Sequence, residues 1–317
     1  MSTDPVTVSD VGEFGLIARI REGLTMTGDV IVGPGDDAAE VSTGESVLIS
    51  VDILVEGRHF RRDWCSAVDV GRRAAAASLA DIAAMGGTST AVVVGFGAPP
   101  DLPAAWAQQC AAGVAEECGR AGASLVGGDV TAADQVIVSI TAIGDPPESG
   151  AVLRSGAQPG DLLALHGRVG WAAAGLAVLS RGFRAPKVLV DAYRFPEIEY
   201  RQGAKAAARG AHAMIDVSDG LVADARHIAE ASGVAVNLDP EALPIPEPIA
   251  TAASAYNVDP REWMLTGGDD HALLAAFPGK KAIPKGWTII GDVSAGEPGV
   301  YVNGHRVVRQ GGHTHFG

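Results

Sequence analysis

Residues Ser46–Phe60 read SVLISVDILVEGRHF. Val47, Leu48, Ile49 and Val51 form an apolar, largely β-branched run, which predicts a buried strand. Asp52 interrupts it before Ile53, Leu54 and Val55 resume. A carboxylate inside such a run is costly unless a cation or metal compensates it, so Asp52 is the first candidate functional residue. Upstream lies GPGDDAAEV, with Asp36 and Asp37 after two glycines, and downstream SLADIAAMGG, with Asp81 in an alanine-rich segment. Further on come GGD at Gly127–Asp129 and IDVSDG at Ile215–Gly220. Any one of these can be read as a turn or a cap. Five acidic motifs placed at strand ends or on a buried helix are harder to explain that way.

The chain has 317 residues, enough for two domains of ordinary size. Its 47% apolar and 20% charged residues predict a packed globular protein. The net charge is −14 and no basic stripe exists, so nucleic acid is not an expected partner. An acidic protein that binds phosphates needs something to screen the repulsion, and divalent cations do this. The lysines are Lys187, Lys205, Lys280, Lys281 and Lys285, none near the acidic motifs. Neither G-x-x-x-x-G-K-[ST] nor G-x-G-x-x-G occurs. Cys65, Cys110 and Cys118 form no C-x-x-C pair, which fits a reduced, cytoplasmic chain. MSTDPVTVSD is polar and acidic, unlike a signal peptide, and no apolar run reaches membrane-spanning length.

In chain order, Ser9 or Asp10 is placed to cap a first helix carrying Phe14, Leu16, Ile17 and Ile20. The strand above follows. Ala67–Met85 reads as a buried helix stopped by Gly86-Gly87, with Ser78 on the face of Asp81. Thr90–Phe96 is a strand, Leu102–Gly119 a helix, and Ala123–Val126 and Val136–Ile143 are strands flanking GGD. This half is β-α-β-α-β-β, an α+β pattern. DPPESG at Asp145–Gly150 reads as a linker, giving domains at 1–148 and 149–317. The second half predicts strands at Asp161–His166, Ala213–Val217, Val234–Leu238, Leu273–Phe277, Thr288–Asp292 and Val300–Val308. Helices are expected at Gly170–Leu179, Pro196–Arg209 and Leu221–Ser232, and Pro244, Pro246 and Pro248 suggest an extended segment. This too is α+β.

Asp36 and Asp37 offer hard oxygen ligands of the kind Mg²⁺ takes together with waters and phosphates. Asp81 needs a partner on so apolar a helix. In GGD the glycines would let backbone N–H groups approach a phosphate, although a bulge explains them equally. In DVSDG, Ser218 or Asp219 could cap the following helix, but Asp216 is not needed for that, and a helix N-terminus favours phosphate. Arg154 in LRSGAQPGD is either a phosphate clamp or an exposed turn residue. His59 is packing or a substrate contact. No Ser-His-Asp set or thiol nucleophile is arranged. Many carboxylates, glycine turns and one arginine suit metal-assisted phosphoryl transfer.

The ordered motifs GEFGLIARI (12–20), GPGDDAA (33–39), SVDILVEGRHF (50–60), SLADIAAMGG (78–87), GGDVT (127–131), LRSGAQPGD (153–161), IDVSDGL (215–221) and TGGDDHALL (266–274) resemble the thiamine-monophosphate kinase family. Singly, some also fit the wider aminoimidazole-ribonucleotide-synthetase-like superfamily. The resemblance implies two α+β domains, and a homodimer whose N-terminal domains share a β-barrel. It implies ATP, several Mg²⁺ ions, and transfer of the γ-phosphoryl group to thiamine monophosphate. Carried over by position, Asp37, Ser50, Val51 (through its backbone), Asp52, Asp81, Asp129, Asp216 and Asp219 look like metal ligands, with Asp52, Asp81 and Asp129 at the catalytic centre. Gly128, Asp129, Arg154 and Ser218 look like ATP contacts, and His59 and Asp269 like acceptor contacts. Asp269 stands where the family usually has Glu. A selenophosphate-synthetase relative would want a reactive cysteine near its glycine-rich N-terminus, and a hydrogenase-maturation relative would end in cysteine where this chain reads THFG. A nucleotide- or metal-binding regulator on the same fold is the non-enzymatic alternative.

Overall fold

The computed structural model describes residues 6–32, 40–44 and 46–307; Asp36, Asp37 and the GGHTHF tail lie outside them. The chain divides into two compact units, Met1–Ile82 with Thr88–Asp145, and Ala83–Gly87 with Pro146–Gly317. Both mix helices and strands, as their sequence patterns predict. No helix among the described residues is long and apolar enough to cross a membrane.

The first unit runs α1 (Val8–Arg21), β1 (Val30–Val32), β2 (Glu40–Val41), β3 (Leu48–Val55), α2 (Ala67–Ala84), β4 (Thr88–Ala98), α3 (Ala104–Ala121), β5 (Ser124–Ala132) and β6 (Ile137–Asp145). Thr7 rather than Ser9 or Asp10 caps α1: Thr7 Oγ1 accepts from the Asp10 amide and the Asp10 carboxylate accepts from the Thr7 amide. Ser66 and Asp69 repeat this reciprocal box at the start of α2. Strands β3 to β6 form one sheet in the order β3-β6-β4-β5, with β4 and β5 parallel and the other pairs antiparallel. The crossovers β3-α2-β4 and β4-α3-β5 step the same way along this sheet. With the usual right hand, both helices cover one face.

That arrangement corrects the expectation of a buried strand. β3 is an edge strand whose side chains alternate. Leu54 is buried, whereas Val47, Ile49, Val51 and Ile53 are 39, 65, 60 and 54% exposed, because no layer among the described residues covers their face. β-branched composition reports a pleated surface, not which face is covered.

The second unit runs β7 (Leu162–His166), α4 (Trp171–Ser180), α5 (Lys187–Arg194), α6 (Arg201–Ala208), β8 (Ala213–Val217), α7 (Leu221–Ser232), β9 (Ala235–Leu238), α8 (Glu247–Tyr256), α9 (Pro260–Thr266), β10 (Ala272–Phe277), β11 (Thr288–Ser294), β12 (Gly299–Val302) and β13 (His305–Arg306). Its seven-stranded sheet has the order β13-β12-β9-β11-β7-β10-β8. The continuous runs AMIDV and ALLAAF are buried along their whole length. One face carries Leu163, Ile215, Val217 and Leu274 with Leu221 and Ile228 of α7, and the other carries Ala164, Met214, Leu273 and Phe277 with Ala206 and Trp287. The proline segment is not extended throughout. Pro246 is the N-cap of α8 and Pro248 lies in its first turn, while Pro260 opens α9 behind Asp259, whose side chain caps it. In a first turn the amide that proline lacks has no helical partner in any case.

Candidate active site

Ser50 and Asp52 are two residues apart on β3, so they share the face that meets α2. Ser78 and Asp81 are three apart on α2, so they share the face that meets β3. The two periodicities produce crossed pairs: Ser50 Oγ donates to the Asp81 carboxylate, and Ser78 Oγ lies 2.8 Å from Asp52 Oδ2 and 3.1 Å from the Ile140 carbonyl. Ser78 is fully buried, while both aspartates are only partly covered. Each carboxylate is therefore held by a serine hydroxyl at one oxygen, and the two pairs fix both aspartates at the same strand–helix contact. Val51 has its side chain on the opposite, exposed face, so only its backbone could meet a metal bound there.

Asp52, Ile140, Val94 and Gly128 occupy one row across the sheet. Asp129 is one residue further, on the strand at the other edge, about 14 Å from β3 at the usual strand spacing. The register between β4 and β5 shifts at Val126, just before GGD, while Gly127, Gly128 and Asp129 pair regularly with Val93, Val94 and Gly95, so the bulge adjoins GGD and does not fall within it. A Cβ on Gly128 would sit 2.2 Å from the Val94 carbonyl, so the close strand approach requires glycine there. His59, half-buried in the turn after β3, accepts the Val55 amide at Nδ1 (3.0 Å). Its ring proton is then on Nε2, which becomes a donor.

In the second unit, β8 ends in Asp216 and Val217, followed by Ser218, Asp219 and Gly220. The expectation that Ser218 or Asp219 caps α7 is overturned. The N-cap is Gly220, and Asp224 in the first turn accepts the amides of both Asp219 and Gly220 at 3.0 Å. Asp224 carried no motif signal in the sequence. Burial, then the neighbouring Asp216 charge, push its carboxyl up to about 7. The segment Gly267–His271 lies along this loop: the Asp269 amide donates to the Ser218 carbonyl (2.8 Å) and the His271 amide to the Val217 carbonyl (2.9 Å). A Cβ on Gly268 would stand 2.2 Å from the Ser218 carbonyl. Asp269 itself is exposed, in the left-handed region at φ 65°. Asp270, buried beside it, accepts the amides of Trp171 (3.0 Å) and Ala172 (2.9 Å) at the start of α4. Burial pushes its carboxyl up to about 7 against the pull of the Ala172 amide and Arg168. Arg154 is exposed on a loop pinned by Ser232, whose Oγ donates to the Arg154 carbonyl (2.9 Å) and accepts the Ala157 amide (3.1 Å).

The structure thus brings Ser50, Asp52, Ser78 and Asp81 together in one unit and, in the other, places Asp216 at the end of β8 with Ser218, Asp219 and Asp269 on two joined loops beside it. Asp37 lies outside the described residues. Among the described residues no three His, Cys, Asp or Glu side chains form a group that could hold a metal ion. The donors in both sets are oxygens, which suits a hard cation such as Mg²⁺ that keeps waters and takes its remaining ligands from substrate phosphates. Burial is the main cause of the raised Asp224 carboxyl, and the neighbouring Asp216 and Asp219 charges add to it.

This fold and site define a class. The model of the AIR synthase related protein N-terminal domain matches residues 35–145, and that of the AIR synthase related protein C-terminal domain matches 158–303. Among sequence relatives, thiamine-monophosphate kinase of Mycobacterium tuberculosis is 47% identical over 319 residues, covering 100% of this chain and 95% of that protein. The crystal structure of thiamine-monophosphate kinase from Stenotrophomonas maltophilia superposes with a TM-score of 0.81 at 30% identity, covering 92% of this chain and 96% of that one. The solved structure of AaThiL complexed with AMPPCP and TMP gives 0.79 at 28% identity over 99% and 100% of the two chains. The chain belongs to the thiamine-monophosphate kinase family, within the AIR synthase related superfamily.

Proposed function

We infer that this chain transfers the γ-phosphoryl group of ATP to thiamine monophosphate, giving thiamine diphosphate and ADP. The observation that carries the reading is the crossed Ser50–Asp81 and Ser78–Asp52 set, in a chain 47% identical to a kinase of that name. The acceptor oxygen belongs to a phosphate already ionised near neutral pH, so it needs no strong base. It forms the new P–O bond in line as the bond to the β-phosphate oxygen breaks, without a phospho-enzyme.

Mg²⁺ would supply charge neutralisation of the phosphates. Asp37, Ser50, Val51 through its backbone, Asp52, Asp81 and Asp129 in the first unit, and Asp216 and Asp219 in the second, are the residues proposed to hold it. Gly128, Asp129, Arg154 and Ser218 would contact ATP, with Arg154 forking onto a phosphate. His59 would offer Nε2–H to the acceptor, and Asp269 a carboxylate to its thiazolium or aminopyrimidine. Incubation with ATP, Mg²⁺ and thiamine monophosphate, followed by chromatography, should yield thiamine diphosphate. A correctly folded protein that makes none would overturn the assignment.

We further propose a homodimer in the cytoplasm, with domains at 1–148 and 149–317 and a β-barrel shared between N-terminal domains. Its support is the exposed stripe Val47, Ile49, Val51 and Ile53 on an edge strand. Sedimentation should give a dimer; a fully active monomer independent of concentration would refute it.

A further inference from the structure

His271 immediately precedes β10, whose first residue, Ala272, pairs with Val217. Its side chain meets a neighbour on the same partner strand: Nδ1 lies 2.9 Å from Asp216 Oδ2. Its own amide donates to the Val217 carbonyl at 2.9 Å, so one residue is fixed to β8 by main chain and ring together. His271 is 7% and Asp216 3% exposed, so the contact between them is enclosed by the protein. The Nδ1–Oδ2 hydrogen bond occupies Oδ2, leaving Oδ1 as the oxygen that can face a cation.

We propose that His271 is a positioning residue that orients the Asp216 carboxylate for the divalent cation, acting through Asp216 and touching neither substrate nor metal. The inference rests on the phosphotransfer reading only for the cation's purpose; the geometry it invokes is independent of the acceptor. Residues that hydrogen-bond to a metal-binding carboxylate fix its orientation, and their loss costs roughly ten- to a hundredfold in metal affinity.

The backbone at His271 has φ 52°, a left-handed conformation that Asn adopts readily. In His271→Asn the side-chain amide nitrogen takes the place of Nδ1 and keeps the donor. In His271→Gln the amide sits one methylene further out, where Nε2 was, and the donor to Oδ2 is lost. The experiment titrates Mn²⁺ into the full chain with ATP present, following free Mn²⁺ by electron paramagnetic resonance, alongside thermal unfolding of each variant. His271→Asn should bind Mn²⁺ within about threefold of the unmodified chain, and His271→Gln at least about tenfold more weakly. His271→Gly, which suits the same φ and has no donor, should match Gln and replaces it if Gln does not fold. Equal Mn²⁺ affinity across folded Asn, Gln and Gly variants would overturn the proposal, as would an equal loss in all of them. Thiamine diphosphate formation by the unmodified chain, assayed in parallel, tests the phosphotransfer reading by itself. An Asn–Gln split without product would leave the positioning role standing and remove the kinase.

Discussion

In the first unit, Asp52 and Asp81 are held side chain to side chain by Ser78 and Ser50, across a single strand–helix contact. In the second, Asp216 lies at the end of β8 and meets the His271 ring, while Ser218, Asp219 and Asp269 sit on loops held mainly by backbone. The Ser218 and Val217 carbonyls take the amides of Asp269 and His271, and Asp224 takes those of Asp219 and Gly220. The first set is built from regular secondary structure, so removing one side chain removes one proposed ligand and leaves the strand–helix contact in place. The second is built from loop geometry, so the residues that matter most include ones that need touch no ligand.

The largest expected effect breaks the first set. Asp52→Asn or Asp81→Asn keeps shape and removes charge, and should lower kcat by about two to three powers of ten, ~3–4 kcal/mol of lost electrostatic stabilisation. Thermal unfolding should change little, because the serine hydroxyls retain an acceptor. Near-normal rates at saturating Mg²⁺ would mean that these carboxylates hold nothing the reaction needs.

The next effect is on stability and belongs to the second set. Asp270 has its folded carboxyl raised to about 7 from an ordinary 3.8, so between those values the folded state binds the extra proton. Its contribution is complete below pH 3.8 and disappears as the pH rises through 7. Relative to Asp270→Asn, which cannot ionise, the unmodified chain should lose roughly 2–3 kcal/mol of unfolding free energy between pH 5 and 8. Urea unfolding of both proteins across that range measures it. Parallel pH profiles would show that Asp270 is ionised in the folded protein throughout.

The smallest effect sharpens the contrast at the exposed tip of the second set. Asp269→Ala removes one charge-assisted bond of ~1.5–3 kcal/mol and should raise KM for thiamine monophosphate roughly ten- to a hundredfold. KM for ATP should stay within about twofold, since Asp269 meets Ser218 through its main-chain amide, which the substitution leaves in place, and Asp269→Glu should be mild. Substrate titrations in which ATP binding weakens while acceptor binding holds would reverse the assignment of the two loops.

The same contrast explains what could be read in advance. Spacing of two on a strand and three on a helix is local, so the shared faces of Ser50 with Asp52 and of Ser78 with Asp81 follow from sequence period. The β-α-β-α-β-β order follows likewise from local composition, as does the strand–loop–helix at DVSDG. The helices α5, α8 and α9 were missed. At α8 the prolines read as an extended segment, although Pro246 is the cap and Pro248 falls in the first turn, and at α9 Asp259-Pro260 is a cap followed by a favoured first residue.

What the sequence determined by itself was the class of each half and the set of acidic motifs, because propensity and periodicity act over a few residues. Tertiary structure alone decided that Val47, Ile49, Val51 and Ile53 face outward, that Asp224 rather than Ser218 or Asp219 tethers the DVSDG loop, and that His271 meets Asp216. His271 and Asp216 are 55 residues apart. Their contact depends on β10 pairing with β8 in one register, and a shift of one residue would turn each side chain to the other face.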